Sequence, residues 1–125
     1  MSENDLSKII VNTCFTVHRG MGPGLFESVY EEILYYELKK AGLSIERQKG
    51  IPVYWDSLKM DIGFKADIIV ERKVILELKS VEEISRVHQK QLLTYLRLTK
   101  MKLGLLVNFN EELIKDGIQR IVNGL

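Results

Sequence analysis

Cysteine is almost absent from this chain: Cys14 is the only one among 125 residues. A lone cysteine cannot form an internal disulfide, and no group of cysteines or histidines has the spacing of a zinc site. The sequence therefore excludes a disulfide-stabilised scaffold and argues against a zinc centre. We predict that Cys14 is a small buried apolar residue and not a nucleophile.

Long apolar runs and a basic leader segment are also missing. No run approaches the ~20 apolar residues that cross a bilayer. The first ten residues, MSENDLSKII, do not show a basic segment followed by an apolar one. We therefore predict a cytoplasmic protein without a signal peptide and without a membrane partner.

A large excess of one charge is missing as well. The chain has 18 Lys and Arg against 17 Asp and Glu, a formal net charge of +1. Such a balance does not support binding to nucleic acid through overall charge alone. A local patch would have to supply the attraction, unless each of its members is an ordinary solvated charge. The candidates are Arg86, Lys90 and Arg97 on one side of a predicted helix, with Arg47, Lys49 and Lys59.

The chain does contain the patterns of an ordinary globular protein. Hydrophobic residues make up 46% and charged residues 28% of a length that suits one domain, residues 1–125. The element order predicts an α/β or α+β sandwich, with a mixed sheet flanked by helices.

Helices are predicted over 5–19 (ended by GMGPG, 20–24), over 26–41 and from the N-cap Ser85 to 99. Strands are predicted as two short pieces of 43–55 broken at Lys49-Gly50, then, after a turn over 56–59, as 60–70, 74–80 and 102–110. Residues 118–122 are a last edge strand or a short helix.

The stretch KADIIVERKVILELKS (65–80) places charged residues inside two apolar strands. If residues 71–73 form the loop, Asp67 faces Glu77, and opposed side chains have Cβ atoms about 4.5–5.5 Å apart. Two carboxylates so close repel each other unless a cation lies between them or one is protonated. The opposite face of the hairpin is predicted to be entirely apolar, formed by Ala66, Ile68, Val70, Val74, Leu76 and Leu78.

The third predicted helix carries a polar row on an apolar face. At about 100° per residue, His88, Gln91 and Tyr95 fall in the middle of an apolar arc. Buried polar groups need partners, so these side chains are either satisfied core residues or parts of a site. The predicted flanks of the arc are Val87 and Leu98 on one side and Leu92 and Leu96 on the other.

The second predicted helix begins with an acidic residue on its apolar side. Glu27 shares that side with Tyr30, Leu34 and Leu38, which predicts that it faces inward. The alternative is that Glu27 only complements the positive N-terminal end of the helix.

Carboxylate oxygens are the ligands that Mg²⁺ and Mn²⁺ prefer. Glu27, Asp67 and Glu77 are therefore candidate ligands. A bound ion would acidify a water and polarise a phosphoryl oxygen. Lys79, two residues beyond Glu77 on the same face, could stabilise the developing charge. This set predicts hydrolysis of a phosphodiester.

Asp67 with Glu77-Leu78-Lys79 resembles the D…(D/E)-x-K core of the PD-(D/E)XK nuclease superfamily. GLFESVY (24–30) resembles the defining pattern of the GxxExxY family, a branch of that superfamily, and HQKQLLTYL (88–96) and KLGLLVNF (102–109) are similar to its later blocks. The resemblance implies a restriction-endonuclease-like αβββαβ core with the site at one end of a forked sheet. Ala66 stands where the superfamily name has proline, at a loosely kept position. The site residues implied are Glu27, Asp67, Glu77, Lys79, Gln91 and Tyr95, with Asp67, Glu77 and Glu27 as ligands of Mg²⁺ or Mn²⁺.

The resemblance favours a Mg²⁺-dependent nuclease that cleaves its substrate with a metal-activated water, with DNA preferred to RNA. One alternative is a non-catalytic module that keeps the fold to bind nucleic acid or protein. Another is a buried hydrogen-bonded network that only specifies packing. The small size also suggests a homodimer that grips both strands. Tyr35, Tyr36, Tyr54 and Trp55 form either a partner surface or part of the core.

Overall fold

A computed structural model describes residues 1–125. It contains three helices, five strands and one short 3₁₀ helix. In chain order these are α1 (Glu3–Met21), α2 (Glu27–Lys40), β1 (Ile45–Trp55), β2 (Leu58–Val70), β3 (Val74–Lys79), α3 (Arg86–Thr99), β4 (Leu103–Asn108), the 3₁₀ helix Ile114–Gly117 and β5 (Ile118–Val122).

All five strands form one mixed sheet in the order β1-β2-β3-β4-β5. β3 and β4 are parallel and every other neighbouring pair is antiparallel. A parallel pair needs a crossover connection, and α3 supplies it between β3 and β4. The series from α2 to β4 reproduces the order αβββαβ, with α1 before it and β5 after it. The predicted fold class is therefore confirmed.

Helices cover both faces of the sheet, which explains why its central strands are apolar on both sides. α1 and α2 pack on one face in a cluster of 18 buried residues. α3 packs on the other face through Leu92 and Leu96. The close approach of α3 requires a glycine in β4, because a Cβ at Gly104 would lie 2.9 Å from Leu92.

Tyr30 stabilises the turn between α1 and α2 by packing and by hydrogen bonds. Its ring is fully buried and stacks on Phe109 with ring centroids 4.3 Å apart. Its hydroxyl donates to the Gly22 carbonyl at 2.6 Å and accepts from the Leu25 N–H at 3.1 Å. Gly24, in the same turn, has φ +93°, a conformation that favours glycine. Gly24 and Tyr30, the first and last residues of GLFESVY, thus determine where the first turn of α2 lies.

β1 is one strand and not the two short strands predicted. It pairs with β2 from Ile45 to Trp55, although Gln48 has φ +46° and the register shifts between Ile51 and Val53. Cross-strand pairing overrides the breaking signal of Lys49-Gly50, because strand formation depends on neighbours more than on local propensity.

Three other strand predictions have definite outcomes. The loop of residues 71–73 is confirmed, and Ile68 pairs with Leu76 as that loop length requires. The turn predicted over 56–59 is shorter, because Trp55 already pairs with Leu58. Residues 118–122 form an edge strand, the first of the two predicted alternatives.

The predicted apolar face of the hairpin is correct except at Ala66. Ile68 and Val70 belong to the cluster under α1 and α2. Ala66 packs in the other cluster, with Ile69 and Ile75. The strict alternation of β2 therefore fails at Asp67, just where β2 stops pairing with β3. A two-stranded segment twists more strongly than a strand inside a sheet, which allows this change.

The buried face of α3 is rotated from the predicted one. Leu92 and Leu96 are buried, but Val87 is 70% and Leu98 44% exposed. The polar row therefore lies at the edge of the buried face and not in its middle. Gly104 explains the rotation, since α3 docks where the sheet admits Leu92.

Cys14 is fully buried in the cluster under α1 and α2, and burial raises its thiol pKa to about 12. A thiol with such a pKa is not a nucleophile near neutral pH, which confirms the prediction. No helix has both the length and the apolar character needed to cross a bilayer.

Candidate active site

The sheet forks where β2 and β3 separate. Their ladder contains three pairs and ends at Ile68 opposite Leu76. One position further on, β2 and β3 no longer form backbone hydrogen bonds with each other. The Asp67 and Glu77 carboxylates there accept hydrogen bonds from backbone N–H groups of the opposite strand. Glu77 Oε2 accepts from the Asp67 N–H at 3.0 Å, and Asp67 Oδ2 accepts from the Leu78 N–H at 2.8 Å. The two opposed carboxylates of the sequence prediction therefore meet at the fork.

Glu77 carries the strongest electrostatic perturbation in this region. Its side chain is nearly enclosed, and burial together with the negative charge of Asp67 raises its pKa from 4.5 to about 9. The positive charge of Lys79 opposes the rise. Without a cation, Glu77 therefore keeps its proton at neutral pH. This is one of the two ways that close carboxylates can relieve their repulsion.

Lys79 and Tyr95 complete the neighbourhood of the pair. Lys79 ends β3 and is half-buried. Burial raises the pKa of the Tyr95 hydroxyl, and the charges of Glu77 and Asp67 raise it further. A hydrogen bond with the Gln91 side chain lowers the pKa of that hydroxyl and so opposes this rise. The structure thus brings the polar edge of α3 to the fork, with Tyr95 half-buried and Gln91 exposed.

Asp67 also lines a cavity of about 360 Å³ between the fork and α2. The cavity is open to solvent, and five of its six lining residues are polar or charged. Its lining comes from the start of α2 and from β1, β2 and β3: Glu27, Ser28, Glu31, Gln48, Asp67 and Leu78.

Gln48 joins Asp67 to a second carboxylate in this cavity. The Gln48 amide donates to Glu31 Oε1 at 2.6 Å and to Asp67 Oδ1 at 3.3 Å. Arg47 holds the other oxygen of Glu31, with a distance of 3.0 Å from its guanidinium. Gln48 occupies a left-handed backbone conformation that is uncommon outside glycine, and such conformations concentrate at functional sites. The chain Arg47–Glu31–Gln48 therefore orients Asp67.

Glu27 is exposed and not turned inward as predicted. It is the first residue of α2, and its Oε2 accepts from the Ser80 N–H at 3.0 Å, one residue past the end of β3. The helix-end alternative therefore describes part of its role. The contact nevertheless attaches α2 to the strand that carries Glu77 and Lys79, and Glu27 lines the same cavity as Asp67.

His88 does not join the site. It is the third residue of α3, and its Nδ1 accepts from the Ser85 N–H at 3.2 Å. This is a helix-capping contact, which accounts for the polar residue at that position.

Sequence reasoning missed Glu31 and Gln48. Glu31 lies one helical turn after Glu27, and this i, i+4 spacing was the signal that both acids share a side of α2. Only 8% of Glu31 is exposed. Gln48 had no comparable signal, because its role depends on a backbone conformation within β1. Arg47, predicted as one of the patch candidates, is instead bound by Glu31 and Glu32.

The Asp67–Glu77 pair fits a divalent cation by its donors. Both side chains offer hard oxygen ligands, and a cation between them would relieve the repulsion that keeps Glu77 protonated. The three predicted ligands do not converge, however, since no group of three or more His, Cys, Asp or Glu side chains is placed to hold one ion. Glu27 is instead engaged with Ser80.

We expect Gln48→Ala to weaken metal binding and any metal-dependent activity by about 10–100-fold, the usual cost of losing a partner of a ligand. The exposed Gln48 side chain packs little, so the melting temperature should change little. Calorimetric titration with Mn²⁺ is the measurement. Gln89→Ala is the matched control, because it removes another amide-to-side-chain contact, with Gln119, away from the fork. Equal losses in both variants would contradict an orienting role.

The chain was compared with known proteins. No curated protein and no solved structure matches it significantly. A family model described as the PD-(D/E)XK nuclease superfamily matches residues 4–121, nearly the whole sequence. The match spans the fork with its Asp67, Glu77 and Lys79, and the mixed sheet agrees with the fold. The chain therefore belongs to the PD-(D/E)XK nuclease superfamily.

Proposed function

We propose that this protein is a divalent-metal-dependent nuclease that hydrolyses phosphodiester bonds, with DNA preferred to RNA. The observation that carries the proposal is the opposed pair Asp67 and Glu77 at the fork, with Lys79 beside it. Fold membership alone would not suffice, because function must be argued from the site. Here burial and the negative charge of Asp67 raise the pKa of Glu77 to about 9, as expected of a site built for a cation.

Each residue has a definite task in this proposal. Asp67 and Glu77 would hold Mg²⁺ or Mn²⁺, which when bound supplies an acidified water and polarises a phosphoryl oxygen. Lys79 places a positive charge where the phosphate gains negative charge during attack. The Tyr95 hydroxyl keeps its proton to a higher pH than usual and can donate a hydrogen bond to the substrate. Gln91 lies beside it, at the exposed edge.

Glu27, Glu31 and Gln48 act on the other side of the fork. Glu27 holds the end of β3 through Ser80, and Gln48 fixes the rotamer of Asp67. These are positioning roles, since the residues act through Asp67 or through the strand that carries Lys79. The prediction that Glu27 is itself a ligand remains open to the same metal titrations.

A specific observation favours a second candidate, a buried network that only specifies packing. Asp67 and Glu77 satisfy two backbone N–H groups at the fork, and no buried side-chain polar atom lacks a hydrogen-bond partner. Under this alternative the pair would bind no metal. The third candidate is a non-catalytic module that keeps the fold and binds nucleic acid or protein without cleavage.

Cleavage of labelled single-stranded DNA, duplex DNA and RNA tests the proposal directly. The purified protein is incubated with Mg²⁺, Mn²⁺ or EDTA. We expect cleavage with metal only, and a loss of about 10²–10³-fold in Lys79→Ala, the usual cost of removing one transition-state contact. Metal affinity should persist in that variant, because Lys79 is not a ligand.

Lys102→Ala is the control for this experiment. Lys102 is an exposed lysine just before β4 whose side chain forms no ion pair. Full activity in Lys102→Ala beside loss in Lys79→Ala supports the proposal. Cleavage that survives both EDTA and Lys79→Ala would point to a contaminating enzyme and overturn it.

Several finer assignments belong to the same proposal. The GLFESVY pattern supports the GxxExxY branch of the superfamily, with residues 1–125 acting as one domain. Location in the cytoplasm and assembly as a homodimer are further parts of the proposal. Sedimentation velocity over a range of protein concentrations tests the dimer.

A further inference from the structure

An exposed aromatic ring lies beside the candidate active site. Phe26 directly precedes α2, and it is 82% exposed, more than any other large apolar residue of the protein. It occupies the N-cap position, where Ser, Thr, Asp or Asn would accept a hydrogen bond from the first turn, and its side chain makes no such bond. The chain thus lacks both a helix cap and the burial of a ring at this position. Departures from local rules without a structural gain are expected at functional sites.

Phe26 lines a cavity of about 540 Å³ that is open to solvent. This cavity shares Glu27 and Ser28 with the cavity that contains Asp67, so the two adjoin each other. Ser80, the residue after Lys79, also lines it. A molecule bound at the fork can therefore extend past the start of α2 to Phe26.

Hydrogen bonds hold the lining of this cavity in place. The Ser80 hydroxyl donates to the Leu25 carbonyl at 2.7 Å, and the Ser80 N–H donates to the Glu27 carboxylate at 3.0 Å. The fully buried Asn108 side chain accepts from the Asn110 N–H at 3.2 Å. The cavity is therefore formed before a ligand enters, which reduces the cost of ordering its walls on binding.

The chemistry of the lining disfavours an anion. No lysine or arginine lines the cavity, and its one charged group is the Glu27 carboxylate. A phosphate there would meet a like charge and no cation. The Ser28 hydroxyl and the Asn110 amide also line the cavity and have no hydrogen-bond partner within the protein. The cavity therefore offers a flat apolar face together with neutral donors and acceptors.

An unpaired nucleobase matches this combination. It is flat, has donors and acceptors along its edge, and stacks on aromatic side chains when no second strand covers it. An asparagine amide can form hydrogen bonds with such an edge. A base within a duplex has neither of its faces free, so the match is to a single strand or to an unpaired position.

We propose that this cavity is a subsite for an unpaired nucleobase of the nucleic-acid substrate, with the base stacked on Phe26. That the base neighbours the bond cleaved at Asp67 and Glu77 rests on the proposed nuclease function. Phe26 then selects substrate by its ring, whereas the phosphate lies at the fork.

Binding of two labelled strands tests the subsite. One is a single-stranded DNA, and the other is an abasic strand of the same length, which keeps the phosphates but lacks the bases. The Kd of each is measured by fluorescence polarisation with Mn²⁺ in the Lys79→Ala background, where cleavage is slow. Adding Phe26→Ala should raise the Kd for the base-containing strand by roughly tenfold, within the range for loss of one stacked base, and leave that for the abasic strand unchanged.

Other substitutions of Phe26 separate stacking from a structural role. Phe26→Tyr keeps a flat ring and should preserve the Kd, whereas Phe26→Leu keeps an apolar side chain without a flat face and should weaken binding nearly as much as Phe26→Ala. Phe26→Ser introduces a preferred helix cap, so the melting temperature should stay the same or rise while binding weakens. Tyr36→Ala is the matched control, because Tyr36 is 63% exposed and lies on α2 but does not line the cavity.

Three outcomes would overturn the subsite. One is an equal loss of affinity for both strands in Phe26→Ala. Another is the same Kd in Phe26→Ala and Tyr36→Ala, and the third is no binding of the base-containing strand. Self-association that Phe26→Ala abolishes would show that a second copy covers the ring, which also overturns the subsite.

The outcome separates this inference from the nuclease proposal. Base-dependent binding through Phe26, without cleavage by the native protein under any metal, supports the subsite and rejects the nuclease. Metal-dependent cleavage, with the same Kd in Phe26→Ala as in its parent, supports the nuclease and rejects the subsite. If both are correct, a single abasic nucleotide should protect a neighbouring bond from the native protein but not from Phe26→Ala.

Discussion

Glu77→Gln is expected to abolish metal-dependent cleavage, by at least about 10³-fold, and Mn²⁺ binding with it. The variant replaces a carboxylate ligand with a neutral amide of nearly the same shape, and amides bind Mg²⁺ and Mn²⁺ poorly. Without metal, the same change should raise the free energy of unfolding at pH 7, by up to about 3 kcal/mol, because the unfolded native chain is stabilised by releasing a proton that an amide does not carry. Glu77 is already protonated in the metal-free fold, because its pKa is about 9. The amide replaces a neutral group with a neutral group.

This combination of a large functional loss with an unchanged fold separates the three candidate functions. Mn²⁺ titration calorimetry, the cleavage assay and urea unfolding are measured on the same preparations. Glu71→Gln is the matched control: Glu71 also accepts from a backbone N–H, that of Ser44 at 3.1 Å, but at the far end of the hairpin. Metal binding by native protein and Glu77→Gln alike would reject the pair as ligands. If neither binds metal, the nuclease is rejected, and a nucleic-acid titration then separates a binding module from a packing network.

The stability of the metal-free protein is expected to fall as pH rises from about 5 to 8.5. The folded-state pKa of Glu77, about 9, lies above its ordinary value of 4.5, so the folded protein retains a proton that the unfolded chain has released. The free energy of unfolding then falls with pH, by up to about 1.4 kcal/mol per pH unit from this group. The stabilising contribution of the protonated Glu77 is fully present below its ordinary pKa of 4.5 and is lost as pH rises through its folded-state pKa of about 9.

Urea unfolding in EDTA at several pH values measures this slope. Glu77→Gln should give a flatter curve, so that its advantage over the native protein grows with pH. Below pH 8.5 the ordinary cysteine pKa of 9.0 has little effect, and Cys14 is common to both proteins. Parallel curves for the two proteins would show that Glu77 is not protonated in the fold.

Saturating metal should remove this pH dependence, because Glu77 is then ionised in the folded protein as it is in the unfolded chain. An ion held by Asp67 and Glu77 must displace the Glu77 proton, so Mn²⁺ affinity should increase about tenfold per pH unit below pH 9. Calorimetry in two buffers of different ionisation enthalpy counts the released proton. Stabilisation by Mn²⁺ should accordingly be greater at pH 8 than at pH 6.

Local sequence patterns were sufficient to predict many of the structural elements of this protein. A loop assumed at residues 71–73 puts Asp67 opposite Glu77, and the structure contains that loop. Helical periodicity located α1, α2 and α3 within a few residues, and the buried side of α2 with Tyr30, Leu34 and Leu38. These features depend on residues close together in the chain, whose geometry is set by the periods of helix and strand.

Other features required contacts between distant residues. The buried face of α3 differs from the predicted one because Leu92 docks over Gly104, and no property of the α3 sequence reveals that position. Gln48 became a partner of Asp67 only through the pairing of β1 with β2. Breaking signals at Lys49-Gly50 were overridden by the same pairing. Local propensity is a weak guide wherever cross-strand packing decides.

The sequence by itself determined that two carboxylates and a lysine lie on one short hairpin, because register and side-chain alternation are local. Only the tertiary structure decided what surrounds them. Because β2 separates from β3 at Asp67, the Asp67 and Glu77 carboxylates accept hydrogen bonds from backbone N–H groups that no strand pairs. Packing of the surrounding elements buries Glu77, and this burial raises its pKa. Burial and charge proximity arise from elements distant in sequence, so the chemistry of the pair depends on the complete fold.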